Sequence, residues 1–332
     1  MSGDGHDPEA HEYQNGAVGD LAATAALLAG QHPDRACFGA SGYLEWLYQD
    51  NPCGIAIQQS VDRRGERTAH FALIPQQWAR GDDVRAFCAG VNAVTRAGSG
   101  RVHFIALLRR AMRQMLEERG VVAGFGVTNE SSTELTVTRT GIGHLGSLPI
   151  LVRPCLPEGR GIASHRVTEA WLAGDELDAL VASIVPASDG GWTQAWSAEI
   201  LRWRLSNPAA DYRVHVHRDA IAVTTRTVHR HVPVTVVLKL FARTPHPDPR
   251  AASHLASAAC RQDRSPAAVY VGFNDRVPFR GMRVPRRMAP SPLNLLFFRA
   301  DQAKAVVGLE SAPPAVEDVT LACFELLDFD AL

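Results

Sequence analysis

Lysine is nearly missing from this chain of 332 residues: Lys239 and Lys304 stand alone, and arginine supplies the rest of the positive charge. Chemistry that needs a lysine amine as nucleophile therefore has few candidates. The six cysteines, at 37, 53, 88, 155, 260 and 323, form no C-x-x-C pair, which argues against a zinc knuckle, a dithiol redox motif and a small disulfide scaffold. No segment offers the roughly 18 uncharged apolar residues of a transmembrane helix, so no membrane partner is expected. A net charge of −1, from 34 basic and 35 acidic residues, gives no broad positive field for nucleic acid. Residues 1–16 carry acids and histidines where a secretory signal has basic and then apolar residues. They are expected to form a flexible tail on a cytoplasmic protein.

What is present is an ordinary globular composition, 46% hydrophobic and 21% charged, in a length that suits about two domains. An internal repeat supports that division. GDLAATAALLAG, capped by Asp20, precedes YLEWLYQDNP at 43–52; GDELDALVASIV, with Asp175 as its cap, precedes LRWRLSNP at 201–208. Asp20 and Asn51 lie 31 positions apart, and Asp175 and Asn207 lie 32 apart, as expected of a duplication. Each copy continues with three strand-like runs, a helix and a further strand, GFGVTN ending at Asn129 and VYVGFN ending at Asn274. Further strands at about 145–153 and 293–299 close the halves. The boundaries read as a tail over 1–16, a first domain over 17–160 and a second over 161–332.

The copies differ in one stretch. Asn51 to Asn129 spans 78 positions, Asn207 to Asn274 only 67. In the first copy this stretch reads TRAGSGRVHFIALLRRAMRQMLEERG, a glycine turn followed by apolar residues at helical spacing. A strand entering such a turn and then a helix presents unpaired N–H groups at the positive end of a helix dipole, which suits a phosphate. Arg96 and Arg101 bracket the turn and could add charge-assisted contacts; an ordinary strand-to-helix connection with solvent-facing arginines is the plainer reading. The second copy has prolines here and no glycine turn.

Trp46 to Pro52, Val91 to Phe104 and GFGVTNESS at 124–132 resemble the GNAT superfamily of acyl-CoA N-acyltransferases, and more narrowly its tandem members from bacterial polysaccharide and natural-product biosynthesis. Trp203 to Pro208 and GFND at 272–275 echo the first and last of these segments, so the likeness spans most of the chain. It implies an α/β (α+β) fold of two duplicated GNAT-like domains, each a mixed, mostly antiparallel sheet flanked by helices. It implies acyl-CoA, with acetyl-CoA the simplest case, as donor and an amine on a small metabolite as acceptor. The family pattern Q/R-x-x-G-x-G/A falls on Ala97 to Val102, where Gly100 matches and Ala97 and Val102 depart, or on Thr95 to Gly100. That departure leaves open altered CoA binding, an acyl carrier protein thioester as donor, or a silent scaffold. By this resemblance Val91, Ala93, Val94, Thr95, Arg96, Gly98, Ser99, Gly100, Arg101 and Asn129 form the donor site, with a backbone N–H of Val91–Val94 polarising the thioester.

Acylation also needs a base for the amine and a proton donor for the thiolate. Asn129, Glu130 and Ser132 follow the last strand of the site, either as substrate contacts or as a helix cap with its first-turn acid. His70, in the strand RTAHFALIP, has the residue type of a general base near neutral pH, although sheet histidines are more often structural. Glu45 could orient an amine, and its neighbours Tyr43, Trp46 and Tyr48 either pack or line a cleft. The H-x-H pairs His215/His217 and His229/His231 have no clustered acid or cysteine. They read as solvent-facing strand residues, and no metal is expected.

Overall fold

The computed structural model describes residues 12–16, 20–96, 102–157, 161–288, 291–311, 316 and 319–329. The first half runs β1 (Glu12–Gly16), α1 (Leu21–Gln31), α2 (Tyr43–Tyr48), β2 (Ile57–Arg63), β3 (Glu66–Arg80), β4 (Asp83–Thr95), α3 (Val102–Arg119), β5 (Ala123–Thr128), α4 (Glu130–Thr140), β6 (Gly143–Ser147) and β7 (Ile150–Pro154). The second runs β8 (Ala163–Arg166), α5 (Glu169–Ala173), α6 (Asp175–Ala182), β9 (Thr193–Gln194), α7 (Ala198–Leu205), β10 (Tyr212–Val216), β11 (Ala220–His229), β12 (Val232–Ala242), α8 (Ala251–Asp263), β13 (Ala267–Asn274), β14 (Met282–Arg283), β15 (Asn294–Arg299), α9 (Ala300–Val307), β16 (Cys323–Glu325) and α10 (Leu326–Phe329). Among the described residues no helix is long and apolar enough to cross a membrane.

Among the described residues two eight-stranded sheets form, ordered β1-β2-β3-β4-β5-β15-β6 and β14-β7-β13-β12-β11-β10-β8, with β9 on β3 and β16 on β13. The halves exchange strands. β15 lies between β5 and β6 of the first sheet, and β7 pairs with β13 of the second. Each sheet therefore draws strands from both sides of residue 160. The exchange also forces a common core, since Trp78, Phe87 and Phe125 of the first sheet pack in one cluster with Val223, Leu238 and Phe324 of the second half.

The repeated tryptophans meet at the junction. Trp46 Nε1 donates to the carbonyl of Trp203 at 2.6 Å and Trp203 Nε1 to that of Trp46 at 2.8 Å, with the rings stacked 5.4 Å apart. The repeated Asn-Pro serves one local purpose in both copies: Asn51 Oδ1 accepts from Cys53 N and Asn207 Oδ1 from Ala209 N, closing matching turns. Tyr43, Trp46 and Tyr48 are core residues, while Glu45 is exposed.

Three expectations need correction. Asp175 does not cap its helix: it is the first residue of α6, behind Gly174, and no side chain caps that end. Residues 12–16 are not part of a free tail: they pair with β2, Glu12 opposite Asp62 through Gly16 opposite Gln58, so an open sheet edge supplies backbone hydrogen bonds where the segment lacks apolar residues. Residues 1–11 lie outside those described. His215 is not solvent-facing. It is fully buried, with Ser164 Oγ 2.8 Å from Nδ1 and Thr224 Oγ1 3.0 Å from Nε2.

Burial, reinforced by nearby Arg213, pulls the His215 pKa down to about 4, and burial with Arg67 pulls His70 down to about 3. Both values lie below the 6.5 of an exposed imidazole, so between about pH 6.5 and 4 the unfolded chain takes up protons that the folded one refuses. Their stabilisation is complete above pH 6.5 and declines as pH falls. The thermal midpoint should drop over this window, and a His70→Gln/His215→Gln variant should show a flatter pH profile in calorimetric melting. Equal slopes would show that other groups dominate.

Candidate active site

β4 and β5 are parallel neighbours only from Phe87 opposite Ala123 to Gly90 opposite Gly126. Beyond that pair they separate: Val91–Thr95 follow β3, and Val127 and Thr128 stay with β15. A bulge drives the separation. The β3–β4 register passes from Ala72 opposite Val91 to His70 opposite Val94, taking Asn92 and Ala93 out of step, and Asn92 adopts φ 51°. An extra residue of this kind bends its strand and re-aims its backbone.

The gap opens into a cavity of about 390 Å³. Its walls are Gly90 to Ala93 on one strand and Phe125 to Asn129 on the other, with His32, Arg35 and Phe38 after α1, Phe104 and Leu108 of α3, Ser132 and Thr136 of α4, and Phe297 and Phe329. α4 begins at the cavity wall with Asn129 and Ser132, and α3, which follows β4, brings Phe104 and Leu108 to it; a helix N-terminus favours an anion.

The cavity gathers some of the sequence-derived candidates and leaves others out. Val91, Ala93, Asn129 and Ser132 line it. Asn129 also caps α4, its Oδ1 accepting from Ser132 N and Ser131 Oγ, both at 2.9 Å. The cap reading of this residue is therefore met, and its Nδ2 has no hydrogen-bond partner among the described residues. Val94 and Thr95 continue β4 beside β3, Val94 packing in the cluster of α1 and α2. Arg96 pairs with Glu66 at the surface, and Glu130 pairs with Arg286. Gly98, Ser99, Gly100 and Arg101 lie outside the described residues.

His70 does not reach the cavity. It is fully buried, its Nε2 3.0 Å from Tyr48 Oη and its Nδ1 3.1 Å from Ser60 Oγ. Tyr48 Oη in turn accepts from Asn92 Nδ2 at 2.8 Å. His70 thus braces the bulge from behind, and nothing in this arrangement exposes a ring nitrogen to substrate. Glu45 likewise lies away from the cavity walls. The residues that sequence reasoning missed are His32, Asn92 and Phe329. Asn92 carried a faint signal, a β-breaking asparagine inside a strand; His32 in QHPDR and Phe329 carried none. Burial and the neighbouring Arg35 hold the His32 imidazole below its ordinary pKa, so it is neutral at physiological pH.

The paired histidines do not converge: His229 ends β11 and His231 lies in the β11–β12 turn, while His215 sits buried on β10. Among the described residues the one group with metal-ligand spacing is Cys323, Glu325 and Asp328. The Lys239 ammonium already sits on it, 2.8 Å from Asp328 and 3.1 Å from Glu325.

No family model matches the chain, and no curated protein resembles it in sequence. Solved structures do match in fold. A GCN5-related N-acetyltransferase from Anabaena variabilis aligns at TM-score 0.56 and 11% identity, over 87% of this chain and 72% of that one. Saccharomyces cerevisiae N-myristoyltransferase with bound myristoyl-CoA aligns at TM-score 0.56 and 10% identity, over 87% and 79%. A tandem GNAT protein from the clavulanic acid biosynthesis pathway aligns at 0.52 and 9%, over 87% and 98%. The protein therefore has the tandem GNAT fold, with mixed, mostly antiparallel sheets flanked by helices.

Proposed function

We propose that the protein is an acyl-CoA-dependent N-acyltransferase whose first sheet carries out the reaction and whose second copy is a structural partner. The observation that carries this reading is the open β4–β5 gap with its bulge at Asn92–Ala93. A thioester lying in the gap meets the backbone of Val91–Val94, where a fixed N–H stabilises charge developing on the carbonyl oxygen. The donor phosphates belong near the α3 N-terminus and Gly98–Arg101, and Asn129 Nδ2 suits a pantetheine carbonyl. An amine attacks the thioester carbon directly, forming the amide as the carbon–sulfur bond breaks. Neutral His32 takes the ammonium proton, and the thiolate leaves protonated by a hydroxyl such as Ser132 or by water.

The acceptor is read as an amine of a small metabolite, such as an amino sugar, and the protein as cytoplasmic. Calorimetric titration with acetyl-CoA, CoA and pantetheine tests the donor; absence of any binding would remove the acyl-CoA reading. Replacing His32 by Gln should lower kcat by roughly 100-fold, the lower range for general-base loss. In the wild type the acid limb of kcat/KM should fall below pH 6.5, in line with the depressed His32 pKa. An unchanged acid limb in the variant would exclude His32.

A carrier-protein thioester is the second reading. It is favoured by Arg280, Arg283 and Arg287, which are exposed and without an acidic partner among the described residues, beside an Arg286 that reaches Glu130 at the start of α4. Turnover with an acyl-pantetheinyl carrier protein but not with acyl-CoA would decide for it.

A further inference from the structure

The second sheet repeats the gap and fills it. β12 and β13 pair in parallel from Thr235 opposite Ala268 to Val237 opposite Tyr270, after which β12 continues to Ala242 and β13 to Asn274. Into this space comes the chain's own β16, Cys323–Glu325, antiparallel to Gly272–Asn274. Gly272, at φ 117°, admits it, because a Cβ there would overlap the carbonyl of Phe324. Glu325 Oε1 accepts from the backbone N–H of Leu240 at 3.2 Å, and Oε2 accepts from Asn274 Nδ2 at 3.1 Å. Counted from the last parallel pair, Leu240 is the counterpart of Ala93 in the first sheet. A carboxylate therefore sits on the strand where the first copy leaves room for a ligand. Lys239 holds the segment down, with both Asp328 oxygens at 2.8 Å.

The same segment reaches the first cavity. Phe329 ends α10, stacks on Phe324 at 5.2 Å and lines the cavity with Phe125 and Phe297. These three rings belong to the inter-sheet core, whereas the polar lining of His32, Asn92, Asn129 and Ser132 lies outside that core. A dry aromatic end suits hydrocarbon and offers nothing to an amine.

Building on the acyl-CoA reading, we propose that the inter-sheet end of the first cavity receives the hydrocarbon of an acyl group longer than acetyl. Phe329 is its end wall and determines chain length. Lys239 is a positioning residue, which turns the second copy from a thioester site into the anchor for that wall.

The test is calorimetric binding of straight-chain acyl-CoAs, from acetyl-CoA to myristoyl-CoA, to the full-length wild type, Phe329→Ala and Phe329→Trp. Wild-type affinity should rise roughly fourfold per added methylene up to a limit. The Ala variant should move that limit longer by about two methylenes or more, and the Trp variant, which preserves aromatic packing, should move it shorter. Asp328→Asn should speed amide exchange over 323–329 and blur the limit; a lower melting temperature with the limit unmoved would reduce Lys239 and Asp328 to structural residues. A shared limit in all the Phe329 variants overturns the chain-length inference while leaving the enzyme reading intact. A wild type that binds no acyl-CoA overturns both.

Discussion

Gly126→Leu should lose acyl-CoA binding by at least about 100-fold, equivalent to roughly 2.7 kcal/mol, while folding normally. Gly126 is the last residue of β5 that pairs with β4, and it lines the cavity. A Cβ at this position meets nothing within 4 Å, and its φ is not positive, so a side chain enters open space without straining the backbone. An isobutyl group then occupies the gap through which the thioester must pass. Gly124, two residues earlier, supplies the contrast. A Cβ there overlaps the Phe298 ring and comes 2.7 Å from Cys88 Sγ, so Gly124→Ala should destabilise the protein by about 1–3 kcal/mol through overpacking. Chemical denaturation and calorimetric titration of the two variants separate these effects. Full acyl-CoA affinity in Gly126→Leu would show that the gap is not the donor site.

The largest stability effect is expected at Lys239. Lys239 is 1% exposed, and Glu325 and Asp328 are 0% exposed. Burial opposes the lysine charge, yet Asp328, Cys323 and Glu325 outweigh it and keep the Lys239 pKa well above its ordinary value. Burial raises Glu325, against the pull of Lys239. Lys239→Met leaves two carboxylates in a dry site without their cation, and removing one partner of a buried pair costs on the order of 3–5 kcal/mol. The penalty should be greatest near neutral pH. As pH falls, the stranded Glu325, already raised by burial, takes up a proton in the folded state, so the variant should regain stability relative to wild type. Urea unfolding at neutral and acid pH measures this directly; a small penalty that does not change with pH would mean that water reaches the cluster.

Some of the architecture was legible because it is written in local patterns. The repeat of a tryptophan followed four or five residues later by Asn-Pro marked the duplication, since both asparagines close matching turns and both tryptophans return to the same junction. The strand, glycine turn and amphipathic helix around Val91–Leu116 marked the first copy as the one to examine, and Asn129 and Ser132 were found from their place after the strand. Other residues misled. His70 had the chemistry of a base, but a sheet buries one strand face against each layer, and sequence alternation does not say which face stays open. Residues 12–16 lacked the apolar content to fold alone and were ordered by a free edge that no local pattern announces.

By itself the sequence determined the duplicated α+β architecture, the Asp20 cap of α1 and the Asn129 cap of α4, the turns and the difference between the two copies, because these depend largely on neighbours close in the chain. Tertiary structure decided which sheet β7 and β15 join, that Asn92 breaks the β4 register, that His32 meets Asn129 across one cavity, and that residues 323–329 fill the second gap. Those outcomes are pairings between segments as much as 250 residues apart, such as Gln76 Nε2 with the carbonyl of Asp328 at 2.7 Å, separated by 252 positions. Strand edges carry the same N–H and C=O groups everywhere, so the choice among them is made by the packing of whole layers.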